Sequence, residues 1–462
     1  MTDNKMNFKK SLIFIAVIMC LGIICTLAMA PLCVPDEEIH YNDALYMSNQ
    51  MLKAVGHNDL RIPAAMDQIV SFRDGSQTVS FWTDWTTGQE LVDSKFGTSW
   101  EGTMPSFPYI WSGLFLAITR LMGAPYQVIL IVSRLANLLF FALIATLSIY
   151  VCPQMKWAIM TVSFLPSTVW GVNSFSYDMW NTAFAVLYVA YIARCMTLDK
   201  IKIRNIIGIF IFMMLFLPTK FIYFPMALLI FMPSYKKLDR KDKRNIIIFG
   251  GVALAIVGGV LWYLRGPEVI AYFSFCFDLR AEADYSNVYT LSTIIHHPFH
   301  VFYVIVATFI EYTQHFIIKS ICGENYSQHV PGFFQFAIIV VFVLLMSGSV
   351  NIRRTDKTFT ENDVAAFRSI RARLIATFIY VINSIGFAIA FLLMFNIYSE
   401  GEFRLIVGMQ GRYYLPLLML LPFILNNRFW KPDEKTMKKL MVALIVLNVV
   451  VTFCKFAGVM ET

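Results

Sequence analysis

The sequence predicts an all-α protein, a polytopic bundle of transmembrane helices forming one integral membrane domain over residues 1–462. Three observations predict it. Hydrophobic residues make up 58% of the chain and charged residues only 15%, more apolar surface than a soluble core buries. Apolar runs of about 20 residues, the length that crosses bilayer hydrocarbon, recur from end to end. The net charge of +8 is carried by short loops between those runs, which is the pattern of cytoplasmic loops and not of a nucleic-acid surface. The eight cysteines fall mostly inside apolar runs (Cys20, Cys25, Cys195, Cys454), with neither metal-ligand spacing nor a disulfide framework.

Taken in order, the first apolar run is 11–30, preceded by Lys5, Lys9 and Lys10. Ala28-Met29-Ala30 looks like a signal-peptide cleavage site, but the run is long for a signal and many others follow, so it reads as a retained span with a cytoplasmic N-terminus. Residues 31–105 form the first external loop. Its opening, 38–55, carries Tyr41, Ala44, Leu45, Ser48, Met51, Leu52 and Val55 on one helical face, an amphipathic helix suited to lie in the interface. A turn at Arg73-Asp74-Gly75 follows, then Trp82, Trp85 and Trp100 among Asp84, Glu90, Asp93 and Glu101. Aromatics beside carboxylates suit sugar binding; an interfacial aromatic belt is the competing reading.

Further apolar segments cover 106–122, 126–150, 157–172, 176–196, 206–217, 220–233, 246–264, 298–318, 332–350, 373–397, 412–426 and 441–459. Counting all as spans puts Lys200, Lys202, Arg204 and the basic run Lys236 to Arg244 outside, against the positive-inside rule. Segment 106–122 is short and bounded by Pro105, Pro108 and Gly123; segment 298–318 contains Glu311, Gln314 and His315. Leaving these two on the outer side, re-entrant or interfacial, gives about 11 spans and places all the basic loops (197–205, 234–245, 351–372, 427–440) inside. A second large external segment then covers 265–331.

This topology gathers the unusual polar residues at one membrane surface. Pro35-Asp36-Glu37-Glu38-Ile39-His40-Tyr41 follows the first span, with Asp36 and His40 at the i, i+4 spacing of one helix face. The same surface holds Ser174 to Asp178, the turn Pro218-Thr219-Lys220, then Arg404 and Gln410-Gly411-Arg412-Tyr413. Each has a simpler reading alone: Asp36 or Asp178 as a helix N-cap, Lys220 as a snorkelling lysine, Arg412 as a helix-end anchor. Converging, they suit sugar transfer from a lipid phosphate. Arginine or lysine holds the departing phosphate, and Asp36 or Glu37 takes the proton of the attacking hydroxyl. One base and one in-line leaving group invert the anomeric carbon. His40, Asp178, Lys220, Arg404, Gln410, Arg412 and Tyr413 are the substrate-binding candidates.

With these motifs in this order, the chain resembles the GT-C superclass of polytopic glycosyltransferases, and within it a large, mostly uncharacterised family of bacterial membrane proteins. The resemblance implies a polyprenyl-phosphate-linked sugar donor, catalysis on the outer side of the bacterial cytoplasmic membrane, a base at Asp36 or Glu37 and a second acidic position at Asp178. Some members of the superclass bind a divalent metal (Mg or Mn) through such acids; this chain has Asp36-Glu37 in place of a spaced Asp-x-Asp, which leaves metal use open. Without the large soluble C-terminal domain of the oligosaccharyltransferases, the expected acceptor is a polysaccharide, teichoic acid or lipid. Two rival functions use the same residues: a transporter or flippase of a lipid-linked sugar, and a non-catalytic subunit of an envelope assembly. His296, His297 and His300 look like a metal cluster but lack a completing carboxylate, and read with Asp278, Arg280 and Asp284 as an acceptor entrance. Glu311 and His315 share a helix face, either lining the cavity or pairing with each other inside the bundle, the second being the simpler reading.

Overall fold

A computed structural model describes residues 8–29, 31–68, 75–98, 107–234, 289–323, 330–351, 365–396, 402–427 and 429–460, together with residues 244, 259, 262 and 398. The run Lys236 to Lys243, the 246–264 segment apart from residues 259 and 262, Arg73, Asp74, Trp100, Glu101, Asp278, Arg280 and Asp284 lie outside the described residues. The protein is mostly helical; among the described residues the strands are the two-residue pair Ile62–Pro63 and Leu91–Val92, antiparallel. Among the described residues, five helices are long and apolar enough to cross a membrane: Phe8–Ala28, Tyr126–Val151, Pro298–Cys322, Ile370–Leu393 and Glu434–Gly458. This is a polytopic helical membrane protein.

Several other apolar segments are not uniform spans, and proline is the reason. The 157–172 run is two short helices, Lys156–Ser163 and Pro166–Val172, broken where Pro166 withholds an N–H from the ladder. Segment 220–233 is a 3-10 helix, Phe221–Phe231, with Pro225 inside it, and segment 412–426 opens as the 3-10 helix Gly411–Leu420 around Pro416. Both pack on the Ile370–Phe395 helix.

Segment 106–122 yields only the twelve-residue helix Ile110–Leu121, roughly 18 Å long and too short to cross. It packs on the helix Glu37–Ala54, whose buried residues include Tyr41, Ala44, Leu45, Ser48 and Leu52. Loop residue Gly97 is pinned to this helix by Asn42 Oδ1 (2.7 Å) and Asn49 Nδ2 (3.0 Å). Pro298–Cys322 is an unbroken helix of 25 residues, so length alone admits a crossing where the sequence reading kept it on the outer side. Glu311, Gln314 and His315 are exposed on it, which corrects the expectation of a Glu311–His315 pair inside the bundle. Gly411 lets this helix approach: a Cβ there would meet the Lys319 carbonyl carbon and the Ser320 nitrogen at 2.5 Å.

Candidate functional site

Asp36 occupies the N-cap position of Glu37–Ala54 in the left-handed region (φ 60°), yet its side chain makes no capping bond. The carboxylate turns to Arg412 instead and is hydrogen-bonded by Nη2. Arg412 Nη1 donates to the Pro35 carbonyl (2.8 Å) and lies 3.4 Å from Asp178 Oδ2. The other Asp178 oxygen is 3.7 Å from the Lys220 ammonium. Two acids and two cations from four distant stretches of chain thus form one continuous ionic cluster. Exposure is graded across it. The Asp36 side chain is 49% exposed, against 6% for Arg412, 7% for Asp178 and 12% for Lys220. The cations form a floor and Asp36 stands at the mouth.

Aromatic rings wall the cluster. The Lys220 ammonium sits 3.8 Å from the Tyr413 ring centroid and 5.0 Å from that of Tyr177. His40 meets Tyr177 edge-on and pairs through Nδ1 with the Tyr109 hydroxyl at 2.8 Å. Burial, reinforced by the Arg412 charge, pulls the His40 imidazole down to about 3, so it is neutral at physiological pH. Gln410 Oε1 and Arg412 Nε are buried without a hydrogen-bond partner among the described residues. An unpaired acceptor and an unpaired donor thus stand two residues apart in the chain.

Local tethers fix the parts. Trp180 Nε1 donates to the Leu215 carbonyl at 2.7 Å and Thr219 bonds Asn181, holding the Lys220 turn against the Asp178 helix. The Tyr223 hydroxyl donates to the Tyr413 carbonyl at 3.0 Å, joining the two 3-10 helices that begin beside the cations.

Two expected site residues are engaged elsewhere. The Glu37 side chain has no exposed surface, and its oxygens accept from the backbone N–H groups of Val34 and Phe175, both at 3.1 Å. Arg134 Nε lies 3.4 Å away and also donates to the Asn173 carbonyl at 2.9 Å. A carboxylate so held is turned away from the mouth of the cluster, where Asp36 stands exposed. Arg404 pairs with Glu402 at 2.8 Å, both largely exposed, rather than with either cluster carboxylate.

Other expectations meet plain geometry. Asp84 accepts from the Thr86 and Thr87 N–H groups and closes a turn, while Trp85 Nε1 donates to the Trp82 carbonyl. His300 Nε2 pairs with the Tyr289 hydroxyl at 2.7 Å and stacks on Phe403; His296 Nδ1 meets the Ser292 carbonyl. Among the described residues no three metal-ligating side chains converge. Asp36 and Asp178 are already the counter-ions of Arg412 and Lys220, so the donor set does not fit a divalent cation.

The sequence reading missed Arg134, Asn137 and Asn173. Asn137 Nδ2 donates to the Ser174 carbonyl (2.7 Å) and Asn173 Nδ2 to Thr26 (2.8 Å), so with Glu37 they fix the loop that leads into Asp178. A signal was present: Arg134 is the lone charged residue of a 26-residue helix.

Fold and site define a class, a polytopic helical membrane protein with a buried cationic floor and an acid at its mouth. The chain belongs to the family described as "Predicted membrane protein (DUF2142)", which matches residues 19–421 and so takes in every residue of the cluster. No curated protein and no solved structure matches it.

Proposed function

We propose that the protein is a membrane glycosyltransferase of GT-C type. It moves a sugar from a polyprenyl-phosphate donor to a cell-envelope glycan or lipid on the outer side of a bacterial cytoplasmic membrane. The observation that carries this reading is the graded cluster, with a half-exposed Asp36 over the buried Arg412 and Lys220.

The chemistry runs as follows. The donor phosphodiester takes hydrogen bonds from Arg412, including its unpaired Nε, and the charge of Lys220. That competition loosens Arg412 from Asp36. The acceptor hydroxyl approaches from the exposed side, and its oxygen attacks the anomeric carbon as the bond from that carbon to the phosphate oxygen breaks. Asp36 receives the hydroxyl proton; polyprenyl phosphate leaves with one more negative charge, neutralised by Arg412 and Lys220. Attack opposite a departing phosphate inverts the anomeric centre. Gln410 Oε1, buried and without a hydrogen-bond partner among the described residues, serves as acceptor for a sugar hydroxyl, and Tyr413 and Tyr177 offer ring faces. Asp178 holds the two cations at a fixed spacing.

The test is Asp36→Asn in detergent with a polyprenyl-phosphate sugar. Turnover is expected to fall by about 10²–10⁴-fold with donor binding retained, the range for loss of a general base. Full turnover in this variant removes the base role. Transport of the donor across vesicles by a variant that transfers no sugar supports the flippase instead.

A further inference from the structure

The helix Ile110–Leu121 is too short to cross the membrane and supplies no member of the ionic cluster. It is nonetheless pressed closely into the bundle. Gly113 admits the helix Glu37–Ala54: a Cβ there would meet Met47 Cβ at 2.7 Å and the Ala44 carbonyl oxygen at 3.1 Å. Trp111 Nε1 donates to the Ala136 carbonyl at 2.6 Å, which ties the same helix to Tyr126–Val151. These contacts fix the turn Phe107–Tyr109 that leads into it, and the turn buries Tyr109, 1% exposed, against His40.

The Tyr109 hydroxyl meets His40 Nδ1 at 2.8 Å. A phenol oxygen shares its lone pair with its ring and accepts weakly, whereas an unprotonated imidazole nitrogen accepts strongly. The pair is best matched with Tyr109 as donor, which leaves the imidazole proton on Nε2. That nitrogen makes no hydrogen bond among the described residues and keeps accessible surface. The ring stands at the ionic cluster. His40 lies one helical turn from Asp36, its backbone N–H donating to the Asp36 carbonyl at 3.3 Å. Its ring contacts Tyr177, centroids 4.8 Å apart, and the Lys220 ammonium approaches the same tyrosine at 5.0 Å. Burial keeps the imidazole neutral, so its N–H adds no charge for Asp36 or Asp178 to balance.

We propose that Tyr109 is a positioning residue for His40: by donating to Nδ1 it holds the proton on Nε2, and His40 presents that N–H to a phosphoryl oxygen of the lipid-linked donor. The proposal rests on the reading that Arg412 and Lys220 hold the donor phosphate. As the bond from sugar to phosphate breaks, the phosphate gains negative charge and the hydrogen bond from Nε2 strengthens with it. No proton leaves His40, because Asp36 takes the one that the acceptor releases. The opposite tautomer would turn a lone pair on the phosphate and repel it.

The probe is farnesyl phosphate, a short polyprenyl phosphate, titrated into the purified full-length protein in a neutral detergent. His40→Ala is expected to weaken binding at least about tenfold, the loss of one hydrogen bond to a charged group. His40→Gln, whose amide N–H can stand where the Nε2 proton stood, is expected to bind within about twofold of the wild type. Tyr109→Phe is expected to weaken binding about threefold in the wild type and not at all in His40→Gln, because its effect passes through the imidazole. Equal weakening in both backgrounds shows a merely structural tyrosine and overturns the proposal, as does His40→Ala binding like the wild type. Binding is the readout, so a protein that binds the probe through His40 yet transfers no sugar overturns the transferase reading and supports this one. A second measurement needs no variant. His40 is the one histidine followed by tyrosine, so pairwise isotope labelling identifies its ring signals by nuclear magnetic resonance. At pH 7 the proton is expected on Nε2; a proton on Nδ1 overturns the proposal even where the variants fail to fold.

Discussion

Asp36 and Glu37 are neighbours in sequence with opposite surroundings. The left-handed backbone at Asp36 sends its carboxylate to the mouth of the cluster, while Glu37 begins the helix and is swallowed beside Arg134. Sequence spacing alone could not say which of two adjacent acids turns inward; that is decided by one φ angle and by where Arg134 and the Phe175 N–H arrive. Glu37→Gln is therefore expected to act on stability, costing about 3–5 kcal/mol because it leaves the buried Arg134 charge uncompensated. Thermal or denaturant melting in detergent checks it; lost turnover with unchanged melting would return Glu37 to the chemistry. His40 gives a pH signature. Its folded value of about 3 lies below its ordinary 6.5, so the folded state resists its protonation. The stability this preserves is fully present above pH 6.5 and is lost as pH falls from there towards 3. A melting profile over that range is expected to flatten in His40→Gln; an identical profile shows that other groups carry the acid sensitivity.

At the scale of elements, the apolar runs were legible and their interiors were not. Periodicity and composition find a run such as 220–233, but whether it winds as α or 3-10 depends on how Pro225 is accommodated against the Ile370–Phe395 helix. The difference has a length. Eleven residues cover roughly 22 Å as a 3-10 helix and 16–17 Å as an α-helix. The more extended winding carries the chain from Phe231 up to the turn holding Lys220. Gly411–Leu420, a 3-10 helix with Pro416 inside it, does the same for Arg412. Pro225→Ala restores a backbone N–H and favours α winding, drawing Lys220 away from Asp178. A rise of at least about tenfold in donor KM is expected with helix content nearly unchanged, since misplacements of an ångström cost up to 10²-fold. Circular dichroism and steady-state kinetics measure the two. An unchanged KM shows that the Trp180–Leu215 and Thr219–Asn181 tethers alone hold the turn.

Across the whole molecule, the Ile370–Phe395 helix serves as a ruler. Near its start Arg373 bonds the Asn426 carbonyl; near its end Phe387 and Phe391 lie against Tyr413 of the cluster. Fourteen to eighteen helical residues separate those levels, roughly 21–27 Å, close to the hydrocarbon thickness of a bilayer. The cluster and the Asn426 turn therefore sit near opposite membrane surfaces. Lys431, Lys435, Lys438 and Lys439 follow that turn within fourteen residues of it, a basic stretch of the kind that the positive-inside rule assigns to the cytoplasmic side. The proposed function needs the cluster to face outward, where no sugar nucleotide is supplied and the donor is lipid-linked. In a chain freed of its native cysteines, Glu402→Cys is expected to react with a membrane-impermeant maleimide in intact cells. Lys438→Cys, exposed at the other end, is expected to react only after permeabilisation. The reverse pattern places the cluster in the cytoplasm, where nucleotide sugars compete as donors and the case for a polyprenyl carrier fails.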